Sequence, residues 1–242
     1  MWQASRISEG EYMNWSLVPK PVRKALHPAT RRIRRPSLIR AIRRIAVESD
    51  GRLPTVQEAQ ILAEKWSNSG SPAAAQVVVE AARLCRDADG PVLECGSGIT
   101  TFVAAIYARH GCWSLENSEP WRRVVVDTLQ RAGLPERVLH APLIDYGDFD
   151  WYQVPDELPK QFEAVICDGP AGTTRGGRGG LLPVMGDRIA GATVLLDDAD
   201  REGEQAAITL WSKRFGVVVT GSVGSAALLR VEAQASKDGN VR

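Results

Sequence analysis

At 242 residues, with 44% hydrophobic and 24% charged residues, the chain is long enough for one well-buried α/β domain plus an appendage, and too short for a second large domain. No apolar run approaches the ~20 residues that a bilayer-spanning helix needs, and Met1-Trp2-Gln3-Ala4-Ser5-Arg6 leads into no apolar signal core. The four cysteines, Cys85, Cys95, Cys112 and Cys167, lack C-x-x-C spacing and read as reduced thiols rather than disulfides or zinc ligands, as expected of a cytoplasmic protein.

The net charge of +1 conceals a local asymmetry. Between Lys20 and Arg44 lie ten basic residues and no acidic one, which leaves −9 for the remainder. Such a block attracts polyanions, namely nucleic acid, acidic lipid or an anionic glycan. It holds no aromatic side chain that could stack on bases, which disfavours single-stranded RNA. A solvated helix face, or a contact with the acidic remainder of a second subunit in a homo-oligomer, is the competing reading. Leu38, Ile39, Ile42, Ile45 and Ala46 recur at helical spacing behind Ser37, so this stretch is expected to fold onto the domain. Thr55-Val56-Gln57-Glu58 has the form of a capping box, and Ser71-Pro72 opens a second helix over 73–85. Residues 1–88 thus read as a basic, mainly helical extension in which Tyr12, Trp15 and Trp66 serve chiefly as packing residues.

The most informative stretch is Pro91-Val92-Leu93-Glu94-Cys95-Gly96-Ser97-Gly98-Ile99-Thr100-Thr101. A short apolar strand ends in a carboxylate, and two glycines turn the chain into an amphipathic helix, the layout of a nucleotide-cofactor loop. A dinucleotide fingerprint requires glycine at Thr101, where a branched residue stands. Glu94 would repel a pyrophosphate and would welcome an ammonium group. Cys112 to Glu116 reads as a second strand, with Glu116 placed to take ribose hydroxyls, followed by a helix over 119–132 that closes at Gly133. Further strands are expected over 137–141, 162–168 and 193–198, and a closing hairpin over 216–219 and 226–231. In an open parallel sheet, ligands lie outside the carboxyl ends of the strands, so Glu94, Glu116, Asp168, Asp197 and Asp198 are expected on one rim.

Glu94-Cys95-Gly96-Ser97-Gly98 resembles the first motif of class I S-adenosyl-L-methionine (SAM)-dependent methyltransferases, and the resemblance extends over residues 91–231. It implies a doubly wound, seven-stranded, mostly parallel α/β sheet, with a SAM-binding domain over 89–234 and a polar tail over 235–242. It also implies cofactor contacts from Glu94, Cys95, Gly96, Ser97, Gly98, Thr100, Thr101, Glu116 and Asn117, with the main chain of Ala141 at the adenine edge and Trp151 or Tyr152 closing over the ring. Asp168, Asp197 and Asp198 resemble the Mg²⁺ site of catechol-type O-methyltransferases. Asp198 stands where that group has asparagine, however, and its lysine is replaced here by Gly169-Pro170-Ala171-Gly172. Asp168-Gly169-Pro170 together with 196–204 also resembles polysaccharide O-methylating enzymes, which implies a hydroxyl acceptor on a small molecule or glycan.

Asp168 is the expected general base or metal ligand, and His140 a second candidate base. The glycine-rich loop 168–180 is expected to act as a mobile lid whose Arg175 and Arg178 clamp an anionic acceptor. Asp198 or Asp200 could instead cap the helix that carries Glu204, Gln205, Ile208 and Trp211. Three other functions compete: a metal-dependent nucleotide-sugar transferase built on Asp198-Ala199-Asp200, a catalytically inert SAM-binding protein, and an NAD-linked oxidoreductase.

Overall fold

The computed structural model describes residues 36–48, 50–67 and 71–233. Most of the basic block, Tyr12, Trp15 and the C-terminal tail therefore lie outside the described residues. The first described helix, α1, covers 36–48 and buries Leu38, Ile42 and Ile45 on one stripe. Next comes α2 (Val56–Ser67), opened by the expected reciprocal box: the Thr55 amide donates to Glu58 Oε2 at 2.7 Å and the Glu58 amide to Thr55 Oγ1 at 3.2 Å. Ser71 caps α3 (Pro72–Asp87) by accepting from the Ala74 amide at 3.1 Å.

The core is a seven-stranded sheet built from β1 (Val92–Cys95), β2 (Cys112–Glu116), β3 (Val138–His140), β6 (Ala164–Cys167), β7 (Thr193–Leu196), β8 (Val217–Val223) and β9 (Ala226–Val231), in the order β3-β2-β1-β6-β7-β9-β8. The pairs from β3 through β7 are parallel, and β9 runs antiparallel to both β7 and β8. Parallel neighbours require crossovers, which the helices α4 (Ile99–Tyr107), α5 (Glu119–Ala132), α6 (Leu181–Met185) and α7 (Glu202–Arg214) supply or help to supply. A small hairpin of β4 (Leu143–Asp145) and β5 (Asp150–Tyr152), not expected from the sequence, sits between β3 and β6.

Strand alternation divides the interior into two cores. Val92, Ala164, Ile166 and Leu195 pack with α1 to α5, whereas Leu93, Cys95, Val165, Cys167, Val194 and Leu196 pack with β5, α6 and α7. Helices α1 to α3 share the first core with α4 and α5. Trp66 meets Phe102 and Trp121 edge-on, with ring centroids 5.0 and 5.1 Å away, and so acts as a packing residue. All four cysteines are free, and burial pushes the Cys85 thiol well up, which keeps it inert. Among the described residues, no helix is long and apolar enough to cross a membrane.

Candidate active site

The loops after β1, β2, β3, β6 and β7 all leave the carboxyl edge of the sheet, where an open parallel sheet places its ligand crevice. Gly96 adopts φ +86°, and a Cβ there would stand 2.9 Å from both Cα and N of Gly169, so the β1–α4 turn and the β6 loop touch backbone to backbone. The turn's three amides are all used within the protein. Gly96 N donates to Leu115 O at 2.9 Å, Ser97 N to Glu116 Oε2 at 3.1 Å and Gly98 N to Thr101 Oγ1 at 2.8 Å. Glu116, 6% exposed, also accepts from Ser97 Oγ at 2.8 Å and from the Ser118 amide at 2.8 Å. The turn and the end of β2 are thereby welded together beside the crevice.

Glu94 departs from the expectation. As the third of four residues in β1, it projects from the α4 face, beside its register partner Ser114. There it is fully enclosed, accepting hydroxyl hydrogen bonds from Thr100 at 2.6 Å, from Thr101 at 2.7 Å and from Ser114. Burial pushes its carboxyl up to about 7, against the opposing pull of Ser114, Thr100 and Thr101. Its carboxylate therefore anchors the first turn of α4 from beneath instead of facing a ligand ammonium. Thr100 and Thr101 likewise spend their hydroxyls on this anchor.

The adenine-side candidates are also placed. Ala141 is buried, and its amide donates to Glu116 O at 2.9 Å. Exposed His140 has Nε2 3.3 Å from the carbonyl of exposed Asn117. Since β3 and β6 are separated by β2 and β1, His140 lies ~14 Å from the end of β6 at ordinary strand spacing. It therefore stands apart from Asp168 along the rim. Trp151 and Tyr152 are wholly buried in the second core, so neither is free to close over a ring.

Asp168, Asp197 and Asp198 converge at the ends of β6 and β7, with one ligand oxygen from each within 4.8 Å of the others. The cation among them is Arg178. Its side chain is only 3% exposed. Nη2 donates to Asp168 O at 2.9 Å, to Asp168 Oδ1 at 2.9 Å and to Asp198 Oδ2 at 2.8 Å. Nη1 donates to the Asp197 carbonyl and lies 3.7 Å from buried Glu204. Arg201 adds a second ion pair to Asp198 at 2.9 Å, while Asp197 Oδ1 accepts from the Asp198 amide at 2.8 Å and from Ser225 Oγ at 3.0 Å. A divalent cation needs these oxygens free to coordinate it, yet two of the three carboxylates already hold a guanidinium. The donor set as arranged therefore does not fit Mg²⁺, and the expected metal site is corrected to an arginine-centred cluster.

The same contacts correct the lid. The loop carries a 3₁₀ turn at Gly177–Gly180 and is tied down by Arg178 and by Trp211, whose Nε1 donates to Gly179 O at 3.1 Å. Arg175 pairs with Asp145 at 2.5 Å and Asp150 at 2.6 Å and donates to the Gly147 carbonyl, so it belongs to the β4–β5 hairpin. In this arrangement both arginines are engaged with carboxylates of the protein. Nor does Asp198 cap α7, whose N-cap is Arg201.

Asp168 keeps 40% of its side chain open to solvent. Burial of the rest and the adjacent Asp197 push its carboxyl up to about 7, while Arg178 pulls the other way.

No protein-family model and no curated protein matches the sequence. Among solved structures, a methyltransferase from Geobacter sulfurreducens matches with TM-score 0.48 and 19% identity, over 78% of this chain and 96% of that one. An O-methyltransferase from Bacillus cereus in complex with S-adenosylhomocysteine (SAH) matches with TM-score 0.45 and 13% identity, over 81% and 91%. A tRNA (m1A58) methyltransferase from Aquifex aeolicus gives 0.47 and 17%, over 75% and 77%. At such identities, shared chemistry does not follow from likeness of fold. The strand order, the antiparallel β9 inserted between β7 and β8, and the glycine turn linking β1 to α4 define the chain's architecture as the class I SAM-dependent methyltransferase fold.

Proposed function

We propose that the chain is a SAM-dependent methyltransferase acting on a hydroxyl oxygen of a small or glycan-like acceptor, with Asp168 receiving the hydroxyl proton. The observation that carries this reading is the Ser97–Glu116 weld. It spends the Ser97 N–H inside the protein, as Leu115 O and Thr101 Oγ1 take up those of Gly96 and Gly98, and sets a carboxylate at the end of β2. A phosphate-bearing dinucleotide would require those donors to be free, whereas a phosphate-free nucleoside with ribose hydroxyls would not.

SAM, when bound, supplies an electrophilic methyl group on a sulfonium. The chain's own contribution at the reacting end is Asp168. Its partly open side chain can accept a proton, and Arg178 holds it in place through Oδ1. With Arg175 and Arg178 both engaged and acids lining this part of the rim, the geometry favours an uncharged or cationic acceptor over an anionic one. The nucleotide-sugar alternative loses support because Asp198 of its Asp-x-Asp motif is bound to Arg178 and Arg201.

Calorimetry with SAH, NADH and a UDP-sugar tests the cofactor: only SAH should bind. Asp168→Asn should keep the SAH affinity and lose about 100-fold or more in turnover with any acceptor that is methylated. Failure of SAH to bind would refute the cofactor assignment, and unchanged turnover in the variant would refute the role of Asp168.

A further inference from the structure

A cavity of about 310 Å³ opens at the opposite end of β2 and β3 from the candidate active site. It lies between α4 and α5. Ala104, Ala105 and Ala108 make one wall, and their methyl side chains leave the space that larger residues would fill. Leu129 and Val138 add apolar surface, and the inner end reaches Thr101 and Ser114, the hydroxyls that hold Glu94.

The mouth has a different chemistry. Arg109, His110 and Arg137 line it, all three exposed. None has an ion pair among the described residues, and no acidic side chain is among the described residues lining the cavity. Arg137 is held in orientation: its guanidinium carbon stands 4.8 Å from the centroid of the Trp113 ring. Gly111, with φ +89°, brings the α4–β2 loop past that side chain. A concave apolar wall with cationic groups gathered at one end is the layout of a small-molecule site in which charge fixes orientation. In a chain whose residues outside the 20–44 block sum to −9, a mouth carrying Arg109 and Arg137, with no acid among the described lining residues, favours negative charge.

We propose that this cavity is a second binding site, for a small organic anion that places a carboxylate or phosphate at Arg109 and Arg137 and an apolar body against the alanine wall. It does not rest on the methyl-transfer reading, because its basic groups lie at the opposite end of the strands from Asp168; only Thr101, at its inner end, is shared with the β1–α4 turn.

Titration calorimetry of the full chain with phenyl phosphate, benzoate and inorganic phosphate tests it. Phenyl phosphate or benzoate should bind at one site per chain, at least about tenfold more tightly than inorganic phosphate, since only the former engage the wall; which of the two binds better identifies the headgroup. The double variant Arg109→Gln/Arg137→Gln should weaken binding by about tenfold or more. Ala105→Leu, which narrows the wall without touching the charges, should weaken the aromatic anions selectively. Three results would overturn the proposal: no saturable binding up to about 10 mM with the fold intact, equal affinity for inorganic phosphate and the aromatic anions, or affinities unchanged in both variants.

Discussion

Glu94→Gln separates the two roles open to the acid of the first motif. In the structure this carboxyl has no solvent exposure and takes three hydroxyl hydrogen bonds. It titrates at about 7 against an ordinary 4.5 because burial disfavours its charge. The folded state therefore retains a proton that the unfolded chain has released. Stability from this group is complete below about pH 4.5 and declines as the pH rises to about 7. With 1.36 kcal/mol per pKa unit, the full decline is about 3 kcal/mol. The glutamine variant cannot ionise. Subtracting its urea-unfolding free energy from that of the wild type at each pH should isolate this component as a fall of that order between pH 4.5 and 8. Glu94→Ala, which strands three buried hydroxyls, should cost about 3 kcal/mol even at low pH. If the pH difference is flat, or if Glu94→Gln leaves stability intact while reducing SAH affinity about 100-fold, the anchor account is wrong and the carboxylate meets the ligand directly.

Replacing Arg178 by Met should destabilise the fold by about 3 kcal/mol or more, because Asp168, Asp198 and Glu204 lose the cation between them; the wild type should be indifferent to EDTA, whereas Mn²⁺ binding detected by electron paramagnetic resonance should appear only in a folded variant. Gly96→Ala places a methyl 2.9 Å from the Gly169 backbone at a positive φ and should cost about 2 kcal/mol together with most SAH binding; a variant with wild-type melting and affinity would contradict the proposed contact. Arg175→Ala should leave the acceptor KM unchanged, because that guanidinium is committed to Asp145 and Asp150; a large rise in KM would restore the clamp. Turnover should rise with pH through about 7 as Asp168 loses its proton, and a rate independent of pH between 5 and 8 would exclude it as the base.

The parts legible in the sequence were those governed by local chemistry. Thr55 and Glu58 close their box, Ser71 caps α3, and Leu38, Ile42 and Ile45 lie on the buried stripe. The runs at 92–95, 112–116 and 193–196 are strands because short β-branched and apolar segments lie between turn signals. Each expected strand was displaced by no more than a few residues, except β8, which extends to Val223. The β4–β5 hairpin escaped notice because its strands have three residues each and little apolar alternation. Glu94 was misread for a different reason. A carboxylate near a strand end looks solvent-facing in one dimension, yet a step of one residue reverses the face. Only the pairing of Glu94 with Ser114, and the return of α4 over both, reveals three hydroxyls around it.

Arg178 was harder to read because every local signal pointed outward. It lies in Thr174-Arg175-Gly176-Gly177-Arg178-Gly179-Gly180, where flexible, charged sequence predicts a solvated loop, and its partners follow it by 20 and 26 positions or precede it at the end of another strand. What could have revealed it is a charge argument. Adjacent parallel strands β6 and β7 bring Asp168, Asp197 and Asp198 together, with Glu204 buried beside them, and so many carboxylates cannot remain ionised in one place without a cation. That cation must be either a metal or a basic side chain long enough to arrive from a nearby loop. The glycines flanking Arg178 let the chain turn inward there, and its planar fork can serve Asp168 and Asp198 at once where a lysine would offer a single point charge.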